Sequence, residues 1–404
     1  MTSFITGLRC RGCGALQTDQ EPFFTCRKCG GFLEARYDLA KAARSLDRDG
    51  IAARRGGLWR YREVLPVRDE SSIVSLSEGG TPLLKSRRIG PALGLENLYF
   101  KDLTRNPTGS FKDYSSSTSV SKAKEIGVET IVLMSAGNAA SSFAAYCAVA
   151  KLRFIALMLP NSYEGMIAQN MIYGAEGYII DGDSAAVGEV ASRLARERGW
   201  MNAGVPNNPY RVEGKKAIGF EIVEDLGWRV PDRIVCPTAG GTSILALRKG
   251  IGELVELGWA KGMPKLDCVQ AESCAPVVSA WRDRTGIVAA RHPDSIAIGL
   301  LAPNPAAGPR LVEIMNETGG QGETVTDGEI RQAQSALARE EGLYVEPSSA
   351  AALAGLRKMC ARGAVAGRET IVLMLTGSGL KATEVVARDL PKPKRIAADG
   401  PFPA

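Results

Sequence analysis

The chain has 404 residues, enough to bury a large core and to divide into more than one domain. Its apolar fraction of 45% and charged fraction of 23% are those of an ordinary globular protein. A net charge of +6 over this length permits phosphate-bearing ligands without arguing for nucleic acid. The most apolar long window, 143–159, carries Lys151 and Arg153, so no membrane span is expected, and the first six residues lack the basic and apolar regions of a signal peptide. Nine cysteines, five of them scattered beyond residue 140, suit reduced thiols in the cytoplasm better than a disulfide framework.

Near the start, Cys10-Arg-Gly-Cys13 and Cys26-Arg-Lys-Cys29 form two C-x-x-C pairs. Each is followed by glycine, which lets the backbone turn behind the thiols. Two such knuckles predict a tetrahedral four-thiolate zinc site with no open position, hence a structural metal in a ribbon over 1–38. A redox dithiol needs a single pair beside a βαβ unit, and the segment 15–25 has no lysine or arginine for a nucleic-acid role. Residues 38–75 carry helical patterning, Trp59 and the arginines 54, 55, 60 and 62, read as a connector with a solvated basic face. From Ser75 onward, short β-branched runs alternate with helical stretches. Strands are expected at about 97–102, 130–134, 153–159, 177–181, 232–236, 266–271 and 370–375, and helices at about 114–126, 138–150, 183–198, 214–227 and 347–359. That alternation predicts an α/β architecture with largely parallel sheets. The tail, 391–404, is rich in proline and basic residues and is expected to order only by docking.

The stretch Asn106-Pro-Thr-Gly-Ser-Phe-Lys112-Asp113 joins the first of these strands to a helix, with Pro107 and Gly109 making the turn and Ser110 a candidate N-cap. Lys112 then lies in the first helical turn, where the positive end of the dipole makes an ammonium unwelcome and pushes its pKa down. Such a lysine can form a Schiff base with an aldehyde cofactor; the plain alternative is a solvated surface lysine.

Three more loops follow strands, where α/β proteins place ligands. Ser135-Ala136-Gly137-Asn138 opens a helix whose N–H groups suit a carboxylate, with an Asn138 amide for a ring hydroxyl or, alternatively, a simple Asn cap. Thr238-Ala239-Gly240-Gly241-Thr242 opens another. Its paired glycines suit a small phosphate ester rather than ATP or NAD, because the spacing of the nucleotide fingerprints is missing. Thr376, in Leu375-Thr-Gly-Ser-Gly-Leu-Lys381, would present a neutral hydroxyl to a ring lying over the sheet. A lysine for an aldehyde, an amide for a ring hydroxyl, a phosphate cradle and a hydroxyl for a ring nitrogen together describe pyridoxal 5′-phosphate.

N-P-T-G-S-F-K-D (106–113), S-A-G-N-A-A (135–140), N-P-Y-R-V-E-G-K-K (208–216), E-P-S-S-A-A (346–351) and L-T-G-S-G-L-K (375–381) resemble threonine synthase, and S-E-G-G-T-P-L (77–83) with G-G-F-L-E-A-R-Y-D (30–38) looks like its zinc-ribbon-bearing branch. The resemblance implies the fold of type II pyridoxal-phosphate enzymes, similar to tryptophan synthase β, as one region over 39–404 with a smaller mobile subdomain at about 121–205 inserted in it. By the same resemblance, Lys112 holds the cofactor and shuttles protons, Asn138 meets its 3′-oxygen, Ala239, Gly240, Gly241 and Thr242 bind its phosphate, and Thr376 meets the pyridine nitrogen. Thr81, Ser135, Ala136, Gly137 and Ala139 would contact the substrate, and Cys10, Cys13, Cys26 and Cys29 would hold zinc. A cytoplasmic homodimer acting on a phosphorylated amino acid, with no nucleic-acid or membrane partner, is implied. The chain departs from the family where Tyr114 and Ser115 replace Arg-Gly after the Lys-Asp pair, at Ala239 and at Ser378, while its only histidine, His292, lies outside every motif. Either another basic residue, such as Lys101, Arg105 or Arg153, supplies the missing charge for a substrate phosphate, or the substrate is not O-phosphohomoserine. Three readings stay open: threonine synthase, a sibling dehydratase or O-phosphoserine-using synthase, and a non-catalytic zinc-ribbon binding protein.

Overall fold

In the computed structural model, residues 3–22, 24–160, 162–204, 208–387, 390–393, 395, 396 and 398 are described. Positions 1 and 2, residue 205 at the end of the expected subdomain, and most of the 391–404 tail lie outside them. Thirteen strands run along the described chain: β1 Ile5–Cys10, β2 Leu16–Gln17, β3 Leu33–Tyr37, β4 Leu83–Lys85, β5 Asn97–Asp102, β6 Thr130–Met134, β7 Arg153–Met158, β8 Glu176–Ile179, β9 Met201–Asn202, β10 Arg233–Pro237, β11 Lys265–Ala271, β12 Gly322–Val325 and β13 Thr370–Leu375. They form three sheets, ordered β2-β1-β3, β12-β11-β10-β13-β5-β4 and β8-β7-β6-β9. The first is antiparallel, with Leu8 opposite Ala35. The second is parallel apart from its edge strand β4, and the third is wholly parallel. Central strands of such sheets are covered on both faces, so their sequences are continuous apolar runs: Ile371 to Leu375 are all buried.

Because β10, β13 and β5 are adjacent and parallel, their carboxyl ends share one edge. The loops leaving that edge are tied together: Phe111 N donates to Thr376 O at 2.9 Å and Ser378 N to Gly109 O at 2.9 Å. The lysine loop and the Thr376 loop are therefore one rigid ledge. The third sheet spans Thr130 to Asn202 and brings the end of β6 up to the same ledge.

Short elements escaped the sequence reading. β4, β9 and β12 have two to four residues each, and Gly322–Val325 (GETV) has no apolar run at all; it exists by pairing with β11. The helix expected over 214–227 begins four residues earlier, at Tyr210, and ends at Asp225. In the connector, the helices Leu39–Ser45 and Arg48–Ala52 give way to 3₁₀ turns. Its arginines are not a solvated face throughout: Arg54 binds both oxygens of buried Glu63, and Arg60 reaches Glu224 at 3.0 Å. The first pair ties the connector to itself, and the second clamps it to the helix Tyr210–Asp225.

The helix Lys112–Glu125 packs closely on Tyr210–Asp225 because Gly214 lies between them. A Cβ there would sit 1.8 Å from the Tyr114 carbonyl oxygen. Gly214→Ala is expected to push the two helices apart and cost about 3 kcal/mol, measured as a fall in the urea unfolding midpoint.

Candidate active site

Lys112 is the first residue of its helix; the cap is Phe111, not Ser110, although Ser110 Oγ still accepts the Lys112 N–H at 3.4 Å. No side chain caps this end. The Lys112 ammonium lies 3.9 Å from the centroid of the Phe111 ring. Burial first, and then the nearby Arg211 guanidinium, bring its pKa down to about 7, with Glu346 pulling the other way. Near neutrality this amine is thus substantially uncharged and nucleophilic.

It faces a cavity of about 330 Å³ at the shared carboxyl edge. Lining it with Lys112 are Ser135, Ala136, Gly137, Asn138 and Ala139 from the end of β6, Ala239, Gly240, Gly241 and Thr242 from the end of β10, and Thr376 from the end of β13. Gly241 has φ +80°, and a Cβ on it would lie 2.0 Å from Leu311 Cδ1, so only glycine fits this turn. A Cβ on Gly240 would meet nothing within 4 Å; the turn is open toward the cavity. Thr242 begins the helix Thr242–Glu256, again without a side-chain cap, so its first N–H groups are free for an anion. Asn138 starts its own helix behind the cap residue Gly137 and does not act as an Asn cap. Its Nδ2 donates to both Glu346 oxygens at 2.9 Å, while buried Oδ1 has no partner. Thr376 is oriented from behind. Ser349 Oγ accepts the N–H of Thr376 at 2.9 Å and of Gly377 at 2.8 Å, which uses both its lone pairs. With both lone pairs engaged, Ser349 does not accept from Thr376; its one hydrogen lies within reach of Gly377 O at 3.2 Å and Thr376 Oγ1 at 3.0 Å, and the Thr376 hydroxyl hydrogen is left for the cavity. An amine, an unpartnered amide oxygen, a free hydroxyl and an uncapped glycine turn fit the aldehyde, ring hydroxyl, ring nitrogen and phosphate of pyridoxal phosphate.

Other residues singled out in the sequence lie away from this cavity. Thr81 does not line the cavity; it is buried, with Oγ1 3.3 Å from both Tyr114 Oη and Glu221 Oε2. Tyr114 also turns away: its hydroxyl donates to Glu221 at 2.8 Å in the helix–helix core. The three cations suggested for a substrate phosphate are engaged elsewhere. Lys101 pairs with Glu221 and Asp225, Arg105 with Asp102 and Arg153 with Glu176, and none lines the cavity. His292 is exposed and outside it. The residues missed are Glu346, Arg211 and Lys215. Burial raises the Glu346 carboxyl above its usual range, with Asn138, Lys381 and Lys112 opposing. Arg211 is buried, donates to Ala203 O at 2.8 Å, and has an unpartnered Nε. Lys215 is fully buried against Thr242. The spacing of 211 and 215, i and i+4 on one helix, was the signal that both cations share a face.

At the other end of the chain, the thiols of Cys10, Cys13, Cys26 and Cys29 lie within 4.8 Å of one another. A Cβ on Gly31 would approach Cys10 and Cys29 Sγ to 3.1 and 3.2 Å, so the absence of a side chain there lets the thiols pack closely. A larger cavity, about 810 Å³, separates this ribbon from the helices of the second sheet, and Thr242 lines both cavities. The larger one lacks Lys112, Asn138 and Thr376, and so lacks the cofactor-binding set.

A parallel α/β core with an amine, a glycine turn and a neutral hydroxyl at one strand edge is the arrangement of type II pyridoxal-phosphate enzymes. Residues 74–377 match the family described as pyridoxal-phosphate dependent enzyme. The threonine synthase of Methanocaldococcus jannaschii is 39% identical over 97% of this chain and 96% of its own length, and that of Methanosarcina acetivorans is 36% identical with the same coverage. Maize serine racemase, 19% identical, superposes with a TM-score of 0.64 over 77% of this chain and 93% of its own. The chain belongs to the pyridoxal-phosphate-dependent enzyme family, in the branch formed by the threonine synthases. Among the described residues no helix is long and apolar enough to cross a membrane.

Proposed function

We propose that this enzyme converts O-phosphohomoserine and water to threonine and phosphate, with the side chains of the 330 Å³ cavity doing the work. The choice of substrate is supported by the likeness to threonine synthases and by Arg211, which is not among the cavity-lining residues but is a buried guanidinium with an unpartnered Nε, close enough to Lys112 to lower its pKa. It supplies the cation that Tyr114 does not, so the Tyr-Ser departure after Lys112-Asp113 no longer favours a sibling enzyme.

When bound, pyridoxal phosphate supplies an electron sink for negative charge developing at Cα. Lys112 Nζ carries one proton at a time, which its pKa near 7 allows at neutral pH: it takes the Cα proton and passes it on, takes one from Cβ, and returns protons to Cγ once phosphate has left and to Cα once water has added. Arg211 receives the phosphate departing from Cγ, and water adding at Cβ completes threonine. The free N–H groups at the start of Asn138–Ala150 hold the amino-acid carboxylate, with Ser135, Ala136, Gly137 and Ala139 around it. A neutral Thr376 hydroxyl would leave the ring nitrogen largely unprotonated, which would favour elimination and replacement over transamination. The test compares O-phosphohomoserine, O-phosphoserine, serine and threonine, following phosphate and keto-acid release. Only the first should turn over well, giving threonine; turnover confined to another substrate would assign a sibling reaction.

The same reading takes 1–38 as a zinc ribbon, 39–404 as the catalytic region and about 121–205 as its mobile subdomain, in a cytoplasmic homodimer. Four clustered, disulfide-free thiols suit structural zinc in a reducing compartment. One zinc per chain is expected by metal analysis. Cys26→Ser should lower thermal stability while cofactor binding persists, and full metal-free stability with all four thiols reduced would contradict a structural zinc.

A further inference from the structure

Four lysines of the described chain are fully buried: Lys101, Lys122, Lys215 and Lys216. Three of them each face two carboxylates. Lys101 has Glu221 and Asp225, Lys122 has Asp19 and Glu125, and Lys216 has Glu213 and Glu253. Lys215 has none among the described residues. Its one hydrogen-bond partner there is Thr242 Oγ1 at 2.7 Å, and the charges nearest it, Lys112 and Arg211, are both positive. Burial and then these two cations disfavour its charged form. A buried amine without a counter-ion gives up its proton, and it keeps its charge only when an anionic ligand is in place.

We propose that Lys215 is a cofactor-phosphate ligand, neutralising the phosphate and forcing the Thr242 hydroxyl to donate to it. The proposal rests on reading 239–242 as the phosphate turn. An ammonium has donors only, so in the 2.7 Å contact Thr242 accepts and its own hydrogen must go elsewhere. Thr242 heads an uncapped fifteen-residue helix behind the open Gly240-Gly241 turn, which is where that hydrogen finds an acceptor. The two cations of this helix lie behind the residues that line the cavity and reach toward different neighbours. Arg211 bonds Ala203 O and lies 5.9 Å from the Phe143 ring, on the side of the third sheet, whereas Lys215 lies 4.9 Å from the Phe111 ring and on Thr242. One cation thus serves the substrate phosphate and the other the cofactor's.

The test strips the full-length protein of cofactor and titrates it with pyridoxal phosphate and with pyridoxal, which lacks the phosphate. Lys215→Gln is expected to weaken pyridoxal phosphate about ten- to hundredfold and to leave pyridoxal within about twofold. Lys215→Met is the second variant, with the same two expectations. Equal losses for both ligands, or no loss for either, would overturn the role. Thr242→Ala separates the two layers: if it weakens pyridoxal phosphate while Lys215→Gln does not, only the lysine assignment falls. If neither variant matters, the phosphate turn itself has been misplaced. In wild-type holoenzyme the ³¹P resonance of bound cofactor should stay at its dianionic position from about pH 5 to 8, a range that spans the ordinary phosphate pKa of about 6; titration within that range would also overturn the proposal.

Discussion

Lys112→Ala is expected to give a folded protein that is colourless on purification and has lost at least about 10⁴-fold in turnover, because one amine both holds the cofactor and moves the protons. Folding should survive, since Lys112 heads its helix without capping it and makes no ion pair among the described residues. The pH dependence is specific. Burial and Arg211 hold the lysine at about 7, so in wild type the rate of cofactor capture by stripped protein should fall as pH drops through about 7, when Nζ takes up a proton, and level off above it. A lysine left at its ordinary value would still be gaining rate above pH 9, near the roughly 10.4 of a free side chain. Capture measured by the rise in visible absorbance separates the two.

Arg211→Met should be nearly as damaging, but selectively. Removing one partner of a buried, hydrogen-bonded charge pair costs about 2–5 kcal/mol, or roughly thirty- to five-thousand-fold in kcat/KM for O-phosphohomoserine. Binding of unphosphorylated serine or threonine should not change. Arg211 is also the second cause of the low Lys112 pKa, so its removal relieves repulsion and raises that pKa. The acid limb of the capture profile should therefore move to higher pH. An unchanged limb together with an unchanged KM would place the substrate phosphate elsewhere.

The ledge of loops was legible in the sequence because glycine, proline and strand-terminal position are local signals. The lysine loop, Asn138, the 239–242 turn and Thr376 all line one cavity. What was illegible depended on partners distant in the chain. Whether a lysine is paired cannot be read from its neighbours: Lys215 and Lys216 are adjacent, yet one meets Thr242 and the other two glutamates. Tyr114 is different, because helix geometry alone could have placed it. Two residues along a helix rotate roughly 200°, so a residue two beyond Lys112 faces the opposite side, and there it meets Glu221. The family's arginine at that step suggested a contact that this chain's helix does not make. Short polar strands such as β12 stayed hidden because their existence depends on the neighbour they pair with.

The most direct test of the account is to reduce the holoenzyme with borohydride and map the labelled peptide. Three buried or half-buried lysines, Lys112, Lys215 and Lys381, lie around the cavity and its ledge, so the position of the label discriminates among them. A single pyridoxyl adduct is expected, on Lys112; a label on Lys215, on Lys381 or on no lysine would contradict the role given to Lys112.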